Sequence, residues 1–271
     1  MSPNWGTDST QYRDRHEEIV NKSSQDFLLN GLLSQTVPRA PLLKARSIEE
    51  ARARYQHALV DSVFSMSMIE GISVTLPQVH ALIDGVSVGG LEIEDVQAVT
   101  DMISAHRLLA HMVQKGTFEL NKTVRGRINA AITAHEIIEP GIIRGQGKVG
   151  GTVTVTLGDL PAYEPPPTTQ GGLELEAMMV KADALIGQIE NPVEGAATLF
   201  CHDALAQYYS NGNKRTATLM ATGWLLTHGY DPLVFPARLR LDYNEALRAL
   251  FGFQDNVPIS NFIYHSIQSL S

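Results

Sequence analysis

The stretch that decides the fold is Gln207-Tyr208-Tyr209-Ser210-Asn211-Gly212-Asn213-Lys214-Arg215-Thr216. It separates two apolar, helix-forming runs, residues 192–206 before it and 216–228 after it, the second closed by Gly229. Between them Ser210, Asn211, Gly212 and Asn213 read as a turn, and Lys214 and Arg215 fall at the start of the second helix. A helix N-terminus exposes unpaired N–H groups and the positive end of the helix dipole. Two cations added there make an anion site, most naturally one for phosphate. The turn is therefore read as holding a nucleotide.

The rest of the chain bounds what such a site can serve. Its 271 residues are 44% hydrophobic, enough for a substantial core. A net charge of -8 argues against nucleic-acid binding through bulk charge. The single cysteine, Cys201, leaves no internal disulfide, and its place inside a helical run reads as a buried, inert thiol. Residues 1–7 are polar, and no apolar run approaches the ~18 residues of a membrane span, so a soluble cytoplasmic protein is expected.

Read in order, residues 1–46 form a polar arm with a helix expected over 17–33, broken by Pro38 and Pro41. Ser47-Ile48-Glu49-Glu50 is a capping box that opens a helix expected to run to Glu70, with Gly71 as its stop. Thr75 caps a short helix with Pro77 in its first turn. A long helix is expected over 92–115, stopped by Gly116, and another from Asn121 to Pro140. Then the pattern changes. The segment 152–157 is β-branched and alternating, which predicts a strand, and Gly158-Asp159 predicts a turn. Pro165-Pro166-Pro167 ends any second strand. Helices resume over 173–189, 192–207, 213–228, 240–251 and 258–270. The fold class is mainly α, a helical bundle with one small β-hairpin, organised as an arm (1–46) and one domain (47–271). That domain comprises N-terminal helices 47–139, the hairpin region at about 144–165, the helices 173–228 around the turn, and C-terminal helices 240–270.

With these residues in view, the 207–216 stretch resembles the core motif of the Fic/Doc (Fido) family, His-Pro-Phe-x-Asp/Glu-Gly-Asn-Gly/Lys-Arg. The ending Gly212 to Ala217 is similar to the Doc branch. Pro140-Gly141-Ile142-Ile143-Arg144, the following strand and Tyr163-Glu164-Pro165-Pro166 resemble the family's flap. Ile69-Glu70-Gly71-Ile72-Ser73 resembles the end of its inhibitory helix, and Asp242-Tyr243-Asn244-Glu245-Ala246-Leu247 a late helix. Together the similarities cover residues 50–265 in the family's order. The resemblance implies a Fic-type helical fold and an activity that transfers AMP from ATP, with Mg²⁺, or another phosphate-containing group, to a hydroxyl of a protein. It implies phosphate binding by Gly212, Asn213, Lys214 and Arg215, and docking of the target by strand addition along Val153, Thr154, Val155 and Thr156. Glu70 takes the regulatory position.

The departures fall on the chemistry. Gln207 stands at the catalytic position where the family has its general base His, and an amide cannot accept the proton. Loss of a general base costs about 10²–10⁴ in rate. Asn211 stands where the family's acidic residue holds Mg²⁺, so only a weak metal ligand is expected there. The family's frequent second Arg, partner of its inhibitory Glu, is Thr218 here; Glu70 could turn to Lys214 or Arg215 instead. Met66 stands where the inhibitory motif prefers Ser or Thr.

No other residue replaces the base. His202, five residues before Gln207, points to another helix face and reads as a packed or solvated helix histidine. His228 suits a helix C-terminus, and Asp203 is at most a stray carboxylate near the site. The Tyr209 ring is expected in the core, and Tyr208 is expected to reach solvent or the nucleotide. His106 and His111 lack the i, i+4 spacing of a metal pair. Lys44, Arg46, Arg52 and Arg54 read as a solvated face. Two functions follow as expectations. One is a nucleotidyltransferase or phosphotransferase with its base and metal ligand replaced, using ATP or another nucleotide on a protein target. The other is a catalytically silent regulator or scaffold that binds nucleotide or a partner. A homodimer stays open.

Overall fold

The structure, a computed structural model, describes residues 37–148 and 153–268. The helix expected over 17–33 lies outside the described residues, as do Thr152 and the end of the expected 258–270 helix. In chain order come α1 (Ile48–His57), α2 (Leu59–Glu70), α3 (Leu76–Ile83), α4 (Ile93–Lys115) and α5 (Lys122–Ile132). A hairpin of β1 (Val155–Leu157) and β2 (Leu160–Tyr163) follows. The chain closes with α6 (Leu173–Ile186), α7 (Pro192–Ala206), α8 (Asn213–Thr227), α9 (Arg240–Phe253) and α10 (Val257–Gln268). The expected fold class, helical with one β-hairpin, is the observed one.

The antiparallel pair α7 and α8 is the centre. Every residue of α7 from Val193 on is buried except Glu194, and α8 is buried over nearly its whole length. Helices without a polar face belong in an interior. One apolar cluster packs on one side of the pair and includes Met178, Phe200, Leu205, Phe235, Leu250 and Phe262. The other contains Val63, Met102, Leu109, Ile128, Leu219 and Met220. The helices close tightly because Gly195 faces Trp224: a Cβ there would stand 2.9 Å from the indole Nε1, which donates to Pro192 O at 3.0 Å.

Several boundaries follow the sequence. Ser47 and Glu50 form the capping box of α1, and Thr75 and Gln78 that of α3. The Asn121 side chain accepts the Val124 N–H. Gly71 (φ 91°) and Gly116 (φ 65°) end α2 and α4 in the left-handed region. Others differ. The helix expected over 47–70 is interrupted at Ala58, so α1 and α2 are separate. The helix expected to reach Pro140 stops at Ile132. The Thr133 hydroxyl donates to the helix carbonyl Asn129 O at 2.8 Å, and the His135 N–H leaves the helix ladder for Asp101 Oδ2, on α4, at 2.9 Å. The strand begins at Val155, its register irregular between Val155 and Leu157. Its partner β2 contains Pro161, which has no N–H to donate. The basic residues expected on a solvated face are partly drawn inward. Arg54 donates to both oxygens of Asp231, a buried carboxylate, and Arg46 Nε lies 3.8 Å from it. Among the described residues no helix is long and apolar enough to cross a membrane.

Two buried polar groups hold the helices in register. Arg125 on α5 is fully buried. It donates through Nη1 and Nη2 to Asp183 on α6 and through Nε to Asp203 on α7 at 2.7 Å. Burial alone would lower the guanidinium pKa; the two carboxylates overcome it and raise it well above its ordinary value. Burial likewise pushes Asp203 up, but Arg125 prevails and the carboxyl titrates below its usual range. Arg125→Met leaves the buried Asp203 and the half-buried Asp183 without their cation, an expected loss of about 3–5 kcal/mol. Denaturant unfolding measures it.

The second is His106, whose Nδ1 lies 2.7 Å from the Tyr55 hydroxyl in the core. Burial lowers its pKa from 6.5 to about 4. A depressed folded pKa means the neutral ring's contribution is present above pH 6.5 and is lost as pH falls through about 4. Stability should therefore fall by on the order of 3 kcal/mol over that window. In His106→Gln the slope over the same window should drop by one proton, as read from melts at stepped pH.

Candidate functional site

The junction between α7 and α8 is built around the left-handed residue Gln207 (φ 46°), which ends α7. Gly212 (φ 71°) starts α8. A side chain cannot be tolerated at Gly212, where a Cβ would run into Thr133 Cγ2. No side chain caps α8, so its first N–H groups are left for something else.

A pocket of about 170 Å³ opens at this junction. The turn and helix start, 210–215, line it together with Gln207, Glu70 and the flap residues Val153, Thr154 and Val155. The candidate residues named from the sequence thus converge, with Thr156, on β1, outside the lining. What their side chains do differs from the expectation in several places.

Gln207 has both ends of its amide engaged. Nε2 donates to Ala204 O at 2.6 Å, and Oε1 accepts from Asn213 Nδ2 at 3.0 Å. Asn213 in turn accepts the Tyr209 N–H (2.9 Å) and donates to Tyr209 O (2.8 Å). Its side chain is a staple inside the turn. Asn211 Oδ1 accepts the Gly212 N–H at 2.7 Å, and its Nδ2 donates to Glu136 Oε2 at 2.9 Å. Arg215 is buried and gripped by Glu136, with Nη2 to Oε2 at 2.6 Å and Nη1 to Oε1. Glu70 approaches Arg215 as its sequence position allowed, Oε2 lying 3.6 Å from Nε. Burial opposes the Arg215 charge, but Glu136 and Glu70 raise its pKa above the ordinary value. Lys214 is only half buried and lines the pocket.

Tyr208 corrects an expectation: it reaches neither solvent nor the pocket. It is buried beside His202, ring centroids 6.0 Å apart, and burial pushes its hydroxyl far above the ordinary range. Tyr209 is in the core as expected. His202 is fully buried, and Asp203 belongs to the Arg125 cluster rather than the pocket. His228 lies against the Trp224 ring, centroids 4.2 Å apart. Burial pushes the Cys201 thiol up to about 12.

Two residues that carry the site were not singled out from the sequence. One is Glu136. The other is Arg144, noted only within the flap resemblance. The C-terminal carbonyls of α7 are buried and need donors. Arg144 supplies Nε to Gln207 O (2.5 Å) and Nη2 to Ala206 O (3.3 Å), while Nη2 also reaches Pro166 O (3.0 Å). The Arg144 N–H donates to Tyr208 O at 2.8 Å. Tyr163 on β2 donates to Leu205 O at 2.9 Å. A cation at a helix C-terminus also suits the dipole. These bonds tie the flap to the turn. No sequence period reports such a contact.

The donor set does not fit a tightly held Mg²⁺. Asn211 offers a neutral carbonyl already engaged with Gly212, and Glu136 is taken by Arg215. No group of three His, Cys, Asp or Glu suited to a metal occurs among the described residues.

Arg144→Ala should leave buried carbonyls without donors and cost about 1–3 kcal/mol. Amide exchange at residues 155–163 should speed up in that variant. Arg144→Lys, with a single point charge in place of the fork, should recover only part of both effects.

No family profile and no curated protein matches the sequence. Solved structures do match its fold. A Fic domain containing signaling protein from Bacteroides thetaiotaomicron superposes with a TM-score of 0.68 at 17% identity, covering 97% of this chain and 94% of that one. Fic-1 (residues 134–508) from C. elegans gives 0.65 at 18% identity, over 97% of this chain and 71% of that one. A Fic family protein from Desulfovibrio desulfuricans gives 0.64 at 17% identity, over 86% and 75%. The fold of this chain is the Fic-domain fold.

Proposed function

We propose that this chain is a Fic-like protein that binds the phosphates of a nucleotide, ATP or a relative, at residues 212–215, and that binding rather than AMP transfer is its output. The observation that carries the reading is the division of labour in the pocket. The uncapped start of α8 and the half-buried Lys214 remain available to an anion. The Gln207 amide at the base position is engaged on both sides by Ala204 and Asn213. The titratable groups lining the pocket are Glu70, Lys214 and Arg215, and no histidine is among them.

A second reading keeps the transferase. Val153, Thr154 and Val155 line the same pocket as the turn. A protein segment added along that strand would bring a hydroxyl to the phosphates, for transfer of AMP or another phosphate-containing group. The proton would then have to leave without help from Gln207.

One experiment separates them. With ATP at about 100 times its Kd, the chain should gain about 2.7 kcal/mol of stability. Lys214→Ala should weaken binding about tenfold, as expected for one charged hydrogen bond to phosphate. Labelled ATP incubated with cell lysate should leave no label on protein in the wild type. Label appearing with wild type would establish the transferase reading. Label appearing only in Gln207→His/Asn211→Asp would place the block at those two residues.

A further inference from the structure

We propose that the outer face of α6 is the seam of a homodimer, formed when the α6 helices of two copies of this chain pack antiparallel about a two-fold axis. The inference is independent of the phosphate reading, because none of its residues lines the pocket at the turn.

The helix is apolar on two faces. Leu175, Met178, Met179, Ala182 and Ile186 are buried against the rest of the chain. On the opposite side Leu173 is 70% exposed and Val180 63% exposed, with Ala177 and Ala184 exposed along the same line. The intervals between these residues are four, three and four, the a/d spacing of a two-helix seam. A surface helix carries one apolar stripe, turned to the core. A second stripe at this spacing is a face built to meet another helix.

Shape and charge both select a second copy and the antiparallel direction. A two-fold axis crossing α6 between Met178 and Met179 sets each larger residue opposite a small one. Leu173 meets the partner's Ala184, and Val180 meets the partner's Ala177. A parallel pair would instead stack alanine on alanine and leave those layers thin. One flank of the stripe carries Glu174 and Lys181. The axis brings Lys181 opposite the partner's Glu174, and Glu174 opposite the partner's Lys181, so the contact contains two cross pairs. Glu174 accepts from Thr169 Oγ1 at 2.5 Å and Lys181 is exposed, and neither meets an opposite charge among the described residues. The acids of the other flank are already answered within the chain: Lys122 Nζ lies 2.8 Å from Glu176 Oε2, and Arg125 Nη2 2.5 Å from Asp183 Oδ1.

The seam is short. The 14 residues of α6 span about 21 Å, and interfaces below about 1,200 Å² are weak. A dissociation constant on the order of 50 μM is expected.

Sedimentation equilibrium of the full chain, from about 5 to about 500 μM, brackets that value. The wild type should pass from monomer to dimer over this range. Val180→Glu puts a charge into the middle of the seam and should raise the dissociation constant at least about tenfold. Its far-UV circular dichroism should be unchanged, since residue 180 is exposed in the monomer. Lys181→Glu sets like charges across the axis and should weaken the dimer about fivefold. Glu174→Lys/Lys181→Glu should restore wild-type affinity, a rescue that a role confined to one copy would not give. A wild type that stays monomeric throughout refutes the proposal, and a loss of stability in Val180→Glu would then point to cover of this face from the same chain. A dimer that survives Val180→Glu also refutes it and puts the contact on another surface.

Discussion

The helix α7 ends in the interior, and that constraint organises the rest. Its last carbonyls cannot be hydrated where they lie, so each needs a protein donor. Tyr163 and Arg144 provide them, from β2 and from the segment leading into the hairpin. The hairpin is thereby fastened to the turn it overhangs. Its other contacts are apolar and weaker in direction: the Tyr163 ring packs against Phe251 on α9, centroids 5.2 Å apart. Satisfaction of a helix end and placement of a flap over a pocket are one set of bonds.

The same economy governs the turn. A turn that presents backbone N–H groups in a fixed direction must itself be held, and this one is held by side chains that look like ligands. Asn213 staples Tyr209, and Gln207 closes the loop between Ala204 and Asn213. Asn129 from α5 donates to Asn211 O and to Thr216 Oγ1, and accepts the Gly141 N–H. Three segments meet on that one amide. A turn so fully bonded is a rigid scaffold, and the chemistry left over is that of its unbonded parts: the start of α8 and Lys214.

How much of this was legible in the sequence varies by kind of signal. Caps and stops written by neighbouring residues were readable: Ser47 with Glu50, Thr75 with Gln78, Gly71 and Gly116. So were the burial of Tyr209 and the approach of Glu70 to Arg215. The early end of α5 was not, because the acceptor that takes the His135 N–H is Asp101, on another helix. Tyr208 was misplaced for a related reason: its neighbours in sequence are polar, but its neighbours in space are His202 and the Arg125 cluster. Arg54 looked solvated until Asp231, distant in sequence, supplied a partner.

By itself the sequence determined the helical order, the hairpin, the apolar central pair and the position of the turn between its helices. Each depends on local periodicity, capping or composition, which neighbouring residues carry. Only the tertiary structure decided which polar groups at that turn are free. Whether an amide or guanidinium faces a ligand or a protein partner depends on acids and carbonyls brought from elsewhere: Glu136 to Arg215, Ala204 to Gln207, and Arg144 to the end of α7. Charges and hydrogen bonds act over a few ångströms of space, and the chain reaches those distances only once it has folded.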